Sequence, residues 1–378
     1  MTEKKKMTAC KPSVGADEKQ SSQLSTLNLS DTEVESNNNF SDMEADWRET
    51  LDPNYLATIT MTELYETAYA PRTPIIEELL YPGVYLFAGA PKVGKSFLVA
   101  QIGYHVSMGT PLWERAVKQG IVLYLALEDD YARLQNRLSK MFGVEGTDSF
   151  HFATVAKRMT DGLDGQLERF IRKHPNVRLI IIDTLQKIRE ATGEKFSYAN
   201  DYEIIGKLKI LADRYGVCIL IVHHTRKQEA DDHFDTISGT NGLLGAADDA
   251  FLLQKEKRTG NSALFDIVGR DQQDQRLRLN FDRGHCLWEL TGMETELWKE
   301  PPDELLESIS RIVSIDSPVW RGSPSALAEI LQMDLSPNVL SRRLNVSTSR
   351  LLNEYNIRYE SSRSHDGRKI TLTLELPL

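Results

Sequence analysis

A chain of 378 residues exceeds the usual single-domain size, so one large domain plus an appendage is the expected organisation. With 40% hydrophobic and 26% charged residues its composition is that of an ordinary globular protein. A net charge of −10 argues against a uniformly basic nucleic-acid binder but leaves a local basic face open.

Three widely spaced cysteines (Cys10, Cys218, Cys286) suggest neither a disulfide framework nor a zinc cluster, and reduced thiols are expected. No apolar run approaches membrane-spanning length, and the Lys-rich N-terminus lacks a following apolar stretch, so a cytoplasmic protein is expected. Residues 1–46 are rich in Ser, Thr, Asn, Glu and Lys and too poor in large apolar residues to offset the entropy of ordering. They read as a disordered tail, with the acidic stretch Asp31–Glu49 as its solvated end. Helical patterns follow at Thr60–Ala70 and, after Pro74, at Ile75–Leu80.

The most informative stretch is Gly89-Ala90-Pro91-Lys92-Val93-Gly94-Lys95-Ser96, a full match to the phosphate-binding pattern G-x-x-x-x-G-K-[ST]. A short apolar run, Val84–Phe87, precedes it, and a helix-like pattern from Phe97 to Met108 follows. Strand, Gly-bearing loop and helix N-terminus together make an anion site, because unpaired N–H groups and the helix dipole face the phosphates. Gly89 through Phe97 are therefore the expected nucleotide-binding residues, with Lys95 on the β/γ-phosphates and Ser96 on Mg²⁺.

From Val84 to about Leu290 apolar strands alternate with amphipathic helices. Strands are predicted at Val84–Ala88, Ile121–Leu127, Phe150–Thr154, Leu179–Ile182, Cys218–Val222, Ala250–Gln254, Ala263–Val268 and Arg276–Phe281. Helices are predicted at Tyr131–Met141, Leu163–His174 and Tyr202–Tyr215. Several strands are apolar throughout, as parallel strands covered on both faces are. The succession implies an α/β core with a mostly parallel twisted sheet and a late antiparallel portion, nucleotide lying beyond the carboxyl ends of the parallel strands.

Three of those strands end in polar groups. Leu179–Ile182 runs into Asp183, a Walker B pattern whose carboxylate would help Ser96 hold Mg²⁺. Val122–Leu127 runs into Glu128-Asp129-Asp130; Glu128 is the candidate general base, while Asp129 or Asp130 can cap the next helix. Ile219–Val222 runs into His223-His224, and His224 is placed to sense the γ-phosphate; a metal site is not favoured, since no further Cys or His ligand is suitably spaced. The polar stretch Arg226–Thr240 reads as a mobile loop. Arg270, after Phe265–Gly269, fits either an arginine finger or a surface pair with Asp271 or Asp274.

After a linker-like passage from Trp288 to about Pro302 comes a smaller module. Helical patterns at Asp303–Ile315, Pro324–Leu331, Pro337–Asn345 and Thr348–Tyr355 precede strands at Arg358–Ser361 and Lys369–Leu374 around the turn His365-Asp366-Gly367. This order resembles a winged helix. The expected organisation is thus 1–46 tail, 47–300 ATPase domain and 301–378 winged-helix-like module. Arg342, Arg343, Arg350, Arg358, Arg363, Arg368 and Lys369 concentrate positive charge there, which suits either phosphate contact or a solvated surface.

In order, GAPKVGKS, LYLALEDD, LIIIDT, LIVHHTRK, SGTNGLLGAADD and VGRD resemble the RepA-like branch of RecA-type ATPases, hexameric replicative helicases of plasmids and mobile elements. The resemblance implies a RecA-like P-loop core, ATP and Mg²⁺ as cofactors, Lys95 and Ser96 on phosphate and metal, Glu128 as catalytic glutamate and Asp183 as Walker B acid. It also implies His224 in a sensor motif and Arg270 as a finger acting in a neighbouring subunit. A six-membered ring around single-stranded DNA, supporting replication of a plasmid, phage or other mobile element, is the function it implies. The tail and the C-terminal module depart from a minimal plasmid helicase and suggest docking of duplex DNA or a replication partner. An ATP-switched DNA-binding or loader protein without processive unwinding is the alternative.

Overall fold

The computed structural model describes residues 54–375, apart from 190–197, 226–240, 258, 271, 296, 299 and 365–366. The expected disordered tail, the loop after Thr225 and the turn residues His365 and Asp366 lie outside the described residues. The chain divides into residues 1–60 and 61–378. In the first unit the described residues 54–60 form no helix or strand and are exposed.

The second unit is built on a nine-stranded sheet in the order β3-β2-β4-β5-β1-β6-β7-β8-β9. Its strands are β1 (Gly83–Gly89), β2 (Ile121–Ala126), β3 (Phe150–Ala153), β4 (Val177–Asp183), β5 (Cys218–His224), β6 (Asp249–Lys255), β7 (Ser262–Gly269), β8 (Gln275–Asp282) and β9 (Leu287–Met293). Strands β1 to β6 pair in parallel, and β6 through β9 pair antiparallel. This is the mostly parallel α/β core that the apolar runs imply.

The central strands are apolar on every residue because both faces are covered. Tyr85 and Phe87 of β1 face one core with Leu179 and Ile181 of β4, against helix Lys95–Met108. Val84, Leu86, Ala88, Ile180 and Ile182 face the other core, with Leu167 of helix Leu163–Lys173 and Ile205 and Leu208 of helix Tyr198–Tyr215. Side chains alternate by period two, so one strand feeds both cores. Each fully buried Leu, Ile or Phe contributes about 1.5–3 kcal/mol relative to exposure.

Two segments differ from expectation. Ile75–Leu80 is a tight turn rather than a helix: the N–H groups of Ile75 and Ile76 both donate to Leu80 O, at 2.7 and 3.1 Å, with Glu78 at φ 55°. Its four apolar side chains are nearly or wholly buried, so a compact loop seats all of them at once. The passage from Trp288, expected as linker, begins inside β9.

Beyond it lies a small subdomain with its own core of Leu305, Leu306, Leu327, Leu340, Leu344, Ile370 and Leu372. Helices Glu304–Ser310, Pro324–Leu331, Pro337–Val346 and Thr348–Tyr355 accompany an antiparallel three-stranded sheet, β10 (Val319–Gly322), β12 (Gly367–Leu374) and β11 (Ile357–Ser364) in that order. Ser323 and Ser336 cap their helices ahead of Pro324 and Pro337, accepting from Ala326 N and Val339 N. The short helix Met61–Glu66 packs on Pro337–Val346: Asn345 Nδ2 donates to Tyr65 O at 2.9 Å, and Arg342 pairs with Glu66 at 3.1 Å. No described helix is long and apolar enough to cross a membrane.

Candidate active site

The parallel strands end level with one another, and that edge gathers the polar residues. Gly89 of β1 pairs with His224 of β5, Asp183 of β4 with Val222, and Ala126 of β2 with Asp183. The P-loop leaves β1 at Gly89 and turns into helix Lys95–Met108, whose first turn carries no acidic residue. Ala90, Pro91 and Lys92 are exposed and Val93 is buried. Gly94 sits at φ 112°, and a Cβ there would lie 2.8 Å from the Trp288 ring, so only glycine fits.

Lys95 is buried. Its ammonium donates to Gly89 O at 2.7 Å, to Ala90 O at 3.0 Å and to His224 Nδ1 at 3.1 Å. An ammonium only donates, so Nδ1 is the bare nitrogen and Nε2 carries the hydrogen. Burial pushes Lys95 down to about 8, although Asp183 and Glu128 oppose this. Burial also lowers His224, and the Lys95 charge adds to the effect, which keeps its imidazole neutral at pH 7.

Asp183 Oδ2 accepts from Ser96 Oγ at 2.8 Å and from Tyr124 OH at 2.9 Å. Burial raises the Asp183 carboxyl, and these two bonds oppose the rise. Burial holds the Tyr124 phenol well above its ordinary value, so it acts as a donor. Ser96 and Asp183 offer two hard oxygen donors within hydrogen-bond distance, which suits Mg²⁺ shared with phosphates and water. Glu128 stands beside them, its Oε1 accepting from Thr184 Oγ1 at 3.2 Å. Asp130 caps helix Tyr131–Phe142 through Arg133 N at 2.8 Å, while Asp129 pairs with Arg137 at 2.7 Å. Arg137 in turn lies over the Phe97 ring.

Lys95, Ser96, Glu128, Asp183 and His224 are thus brought together. Arg270 is not among them. Gly269 pairs with Asp249, which pairs with Tyr85, and Arg270 N donates to Asp248 O at 3.1 Å. That is the opposite end of the sheet, roughly 17 Å of strand away from the P-loop. Its guanidinium donates to Gly245 O at 2.5 Å, and no ion pair joins it to Asp274; Asp271 lies outside the described residues. The β6–β7 hairpin is the element that reaches the nucleotide edge, since Leu253 pairs with Gly89, and it carries Lys255 and the exposed Lys257.

Sequence reasoning missed three supports. Tyr124 and Thr184 hold the two carboxylates, and Trp288 braces the loop through Nε1 to Gly94 O at 3.2 Å. Gln101 grips Trp288 at both its N–H and its carbonyl, at 2.8 and 3.0 Å, and Trp113 Nε1 donates to the same carbonyl. The signal for Trp288 was a large aromatic in a supposed linker; for Tyr124, a hydroxyl within an otherwise apolar strand.

A pH prediction follows from Lys95. Phosphate raises its proton affinity, so binding favours the protonated form. Nucleotide affinity is therefore expected to fall as pH rises through about 8, by up to about tenfold per unit, and to be flat below it in this respect. For folding the sign is opposite: a cation with a depressed pKa makes the nucleotide-free protein gain stability as pH rises from about 8 to 10.5. Titrations of a fluorescent ATP analogue from about pH 7 to 9.5, with calorimetric proton uptake, would check this; an affinity constant across that range would contradict it.

The AAA domain family model AAA_25 matches residues 52–230. Among solved structures the chain is similar to an isolated ATPase domain, at 16% identity over 66% of this chain and 96% of that one, TM-score 0.47. It is similar also to a DnaB-like replicative helicase described with its interactions with primase, at 16% identity over 66% and 71%, TM-score 0.47. A KaiC-like protein from the hyperthermophilic archaeon Pyrococcus horikoshii OT3 matches at 14% identity over 60% and 99%, TM-score 0.42. No curated protein sequence matches the chain. Over residues 52–230 the chain thus carries an AAA domain of P-loop ATPase type.

Proposed function

We propose that the chain hydrolyses ATP with Mg²⁺ and couples hydrolysis to movement along single-stranded DNA, as a RepA-like ring helicase of a plasmid, phage or other mobile element. The convergence of Lys95, Ser96, Glu128, Asp183 and His224 on one sheet edge carries the ATPase part. The ordered motif resemblance supports the helicase part. Glu128 accepts a proton from the attacking water, Lys95 leaves His224 for phosphate, and His224 then reports γ-phosphate loss to the segment beyond Thr225. Mg²⁺, when bound by Ser96 and Asp183, neutralises charge developing on the phosphates.

On this reading residues 47–300 form the motor, 301–378 a winged-helix-like module, and six copies a ring. Arg270, remote from its own P-loop, serves a neighbour's site; the β6–β7 hairpin, with Lys257 at the nucleotide edge, is the second candidate for a cation acting across subunits. The loader alternative draws on the C-terminal subdomain. There Arg342 and Arg368 pair with Glu66, Arg343 with Asp303, Arg350 with Glu300 and Glu354, and Arg358 with Glu375. Those arginines are engaged within the chain, which leaves Arg363 and Lys369 on the β11–β12 hairpin for phosphate.

The test is steady-state ATP hydrolysis with and without single-stranded DNA, on wild type mixed with Arg270→Ala or Lys257→Ala. DNA-stimulated turnover that falls more steeply than dilution in one series identifies a shared site and its cation. Turnover indifferent to DNA and to mixing would sink the ring-motor reading.

A further inference from the structure

We infer that Tyr124 is a positioning residue for the metal-holding carboxylate: its phenol fixes Asp183 so that Ser96 and Asp183 present their remaining oxygen lone pairs to Mg²⁺. This rests on the ATPase reading above. Tyr124 lies on β2 and is wholly buried, its ring tilted against Phe152 at 5.9 Å and stacked on Phe150 at 6.5 Å. A ring so enclosed cannot swing, so the hydroxyl has one place to be. That place is 2.9 Å from Asp183 Oδ2.

The same oxygen takes the Ser96 hydroxyl at 2.8 Å. Two donors occupy Oδ2, which leaves Oδ1 as the acceptor for metal-bound water. Ser96 gives its hydrogen to Asp183, so its own lone pairs stay available to the metal. Apolar strand Ile121–Ala126 has no other side chain able to do this, and a phenylalanine would fill the same volume. Without the phenol, Asp183 keeps Ser96 alone and loses the anchor that does not itself bind metal. Partners of this kind set metal affinity by about 10–100-fold.

The experiment compares wild type, Tyr124→Phe and Asp183→Asn. Mn²⁺ binding to each protein with ADP is followed by electron paramagnetic resonance of the free ion. Binding of a fluorescent ATP analogue is measured in EDTA and along a Mg²⁺ series. Tyr124→Phe is expected to raise the Mn²⁺ dissociation constant and the half-saturating Mg²⁺ by about tenfold or more, with nucleotide binding in EDTA unchanged. An equal loss in EDTA would make Tyr124 merely structural and overturn the inference. Wild-type values in Tyr124→Phe, with Asp183→Asn impaired, would overturn it too. If Asp183→Asn also matches wild type, the metal site itself is wrong and the ATPase reading falls with it.

Discussion

Replacing Glu128 by Gln is expected to slow ATP turnover by about 10²–10⁴-fold while nucleotide affinity stays close to that of wild type. The amide keeps the shape of the carboxylate and retains an oxygen for Thr184 Oγ1, now 3.2 Å from Oε1. What it loses is the ability to take a proton from water. Glu128 extends from β2 just past Ala126, whose register partner is Asp183, so its carboxylate stands beside the metal-holding group without contacting Ser96. Its removal therefore leaves the Ser96–Asp183 pair and the Lys95 cradle in place. Phosphate release in a single turnover, alongside analogue titration, separates the two quantities. Turnover within about threefold of wild type, well below the range for a lost general base, would place the base on another residue. Loss of binding in parallel would mean that Glu128 supports the fold of the site.

Most of this architecture was legible in the residues because its signals are local. A P-loop needs glycine, lysine and serine at set places, and the strands feeding it are apolar on both faces. The period-two and period-3.6 patterns therefore located β1 through β8 and the major helices within a few residues. Ile75–Leu80 misled because clustered apolar residues suit a helix turn and a buried loop equally; only the shape of the core decides. Strand β9 was hidden by its burial pattern: Trp288 is buried, but Glu289, Gly292 and Met293 lie at the sheet's edge and look like linker.

The supporting hydrogen bonds were hidden for a different reason. Tyr124 and Asp183 are 59 positions apart, and Gln101 and Trp288 are 187 apart, so no spacing rule connects them. Arg270 shows the converse. Its motif is local, but which end of the sheet it occupies depends on β7 running antiparallel to β6. Likewise the arginines of the C-terminal subdomain looked like a basic face until Glu66, Asp303, Glu354 and Glu375 were seen beside them.

Asp201→Ala is expected to destabilise the protein by about 3–5 kcal/mol, the cost of leaving a buried cation unpaired. Arg189 and Asp201 pair at 2.8 Å with side chains only 5% and 3% exposed. Burial lowers the Arg189 guanidinium and raises the Asp201 carboxyl, each against the pull of the other's charge. Desolvation thus outweighs attraction at this place, and the pair as a whole adds little stability over an apolar pair of equal volume. Breaking it is another matter, because the surviving charge keeps its desolvation cost. The double change Arg189→Met with Asp201→Leu is accordingly expected to recover most of the loss. Urea midpoints of the single and double variants measure both effects. Arg189 follows the short helix Leu185–Ile188 that leaves the Asp183 strand, and Asp201 lies in the helix packed beneath β1. If the double variant regains stability yet binds nucleotide poorly, the pair sets the position of the Asp183–Thr184 end; if it regains both, its contribution is to folding alone.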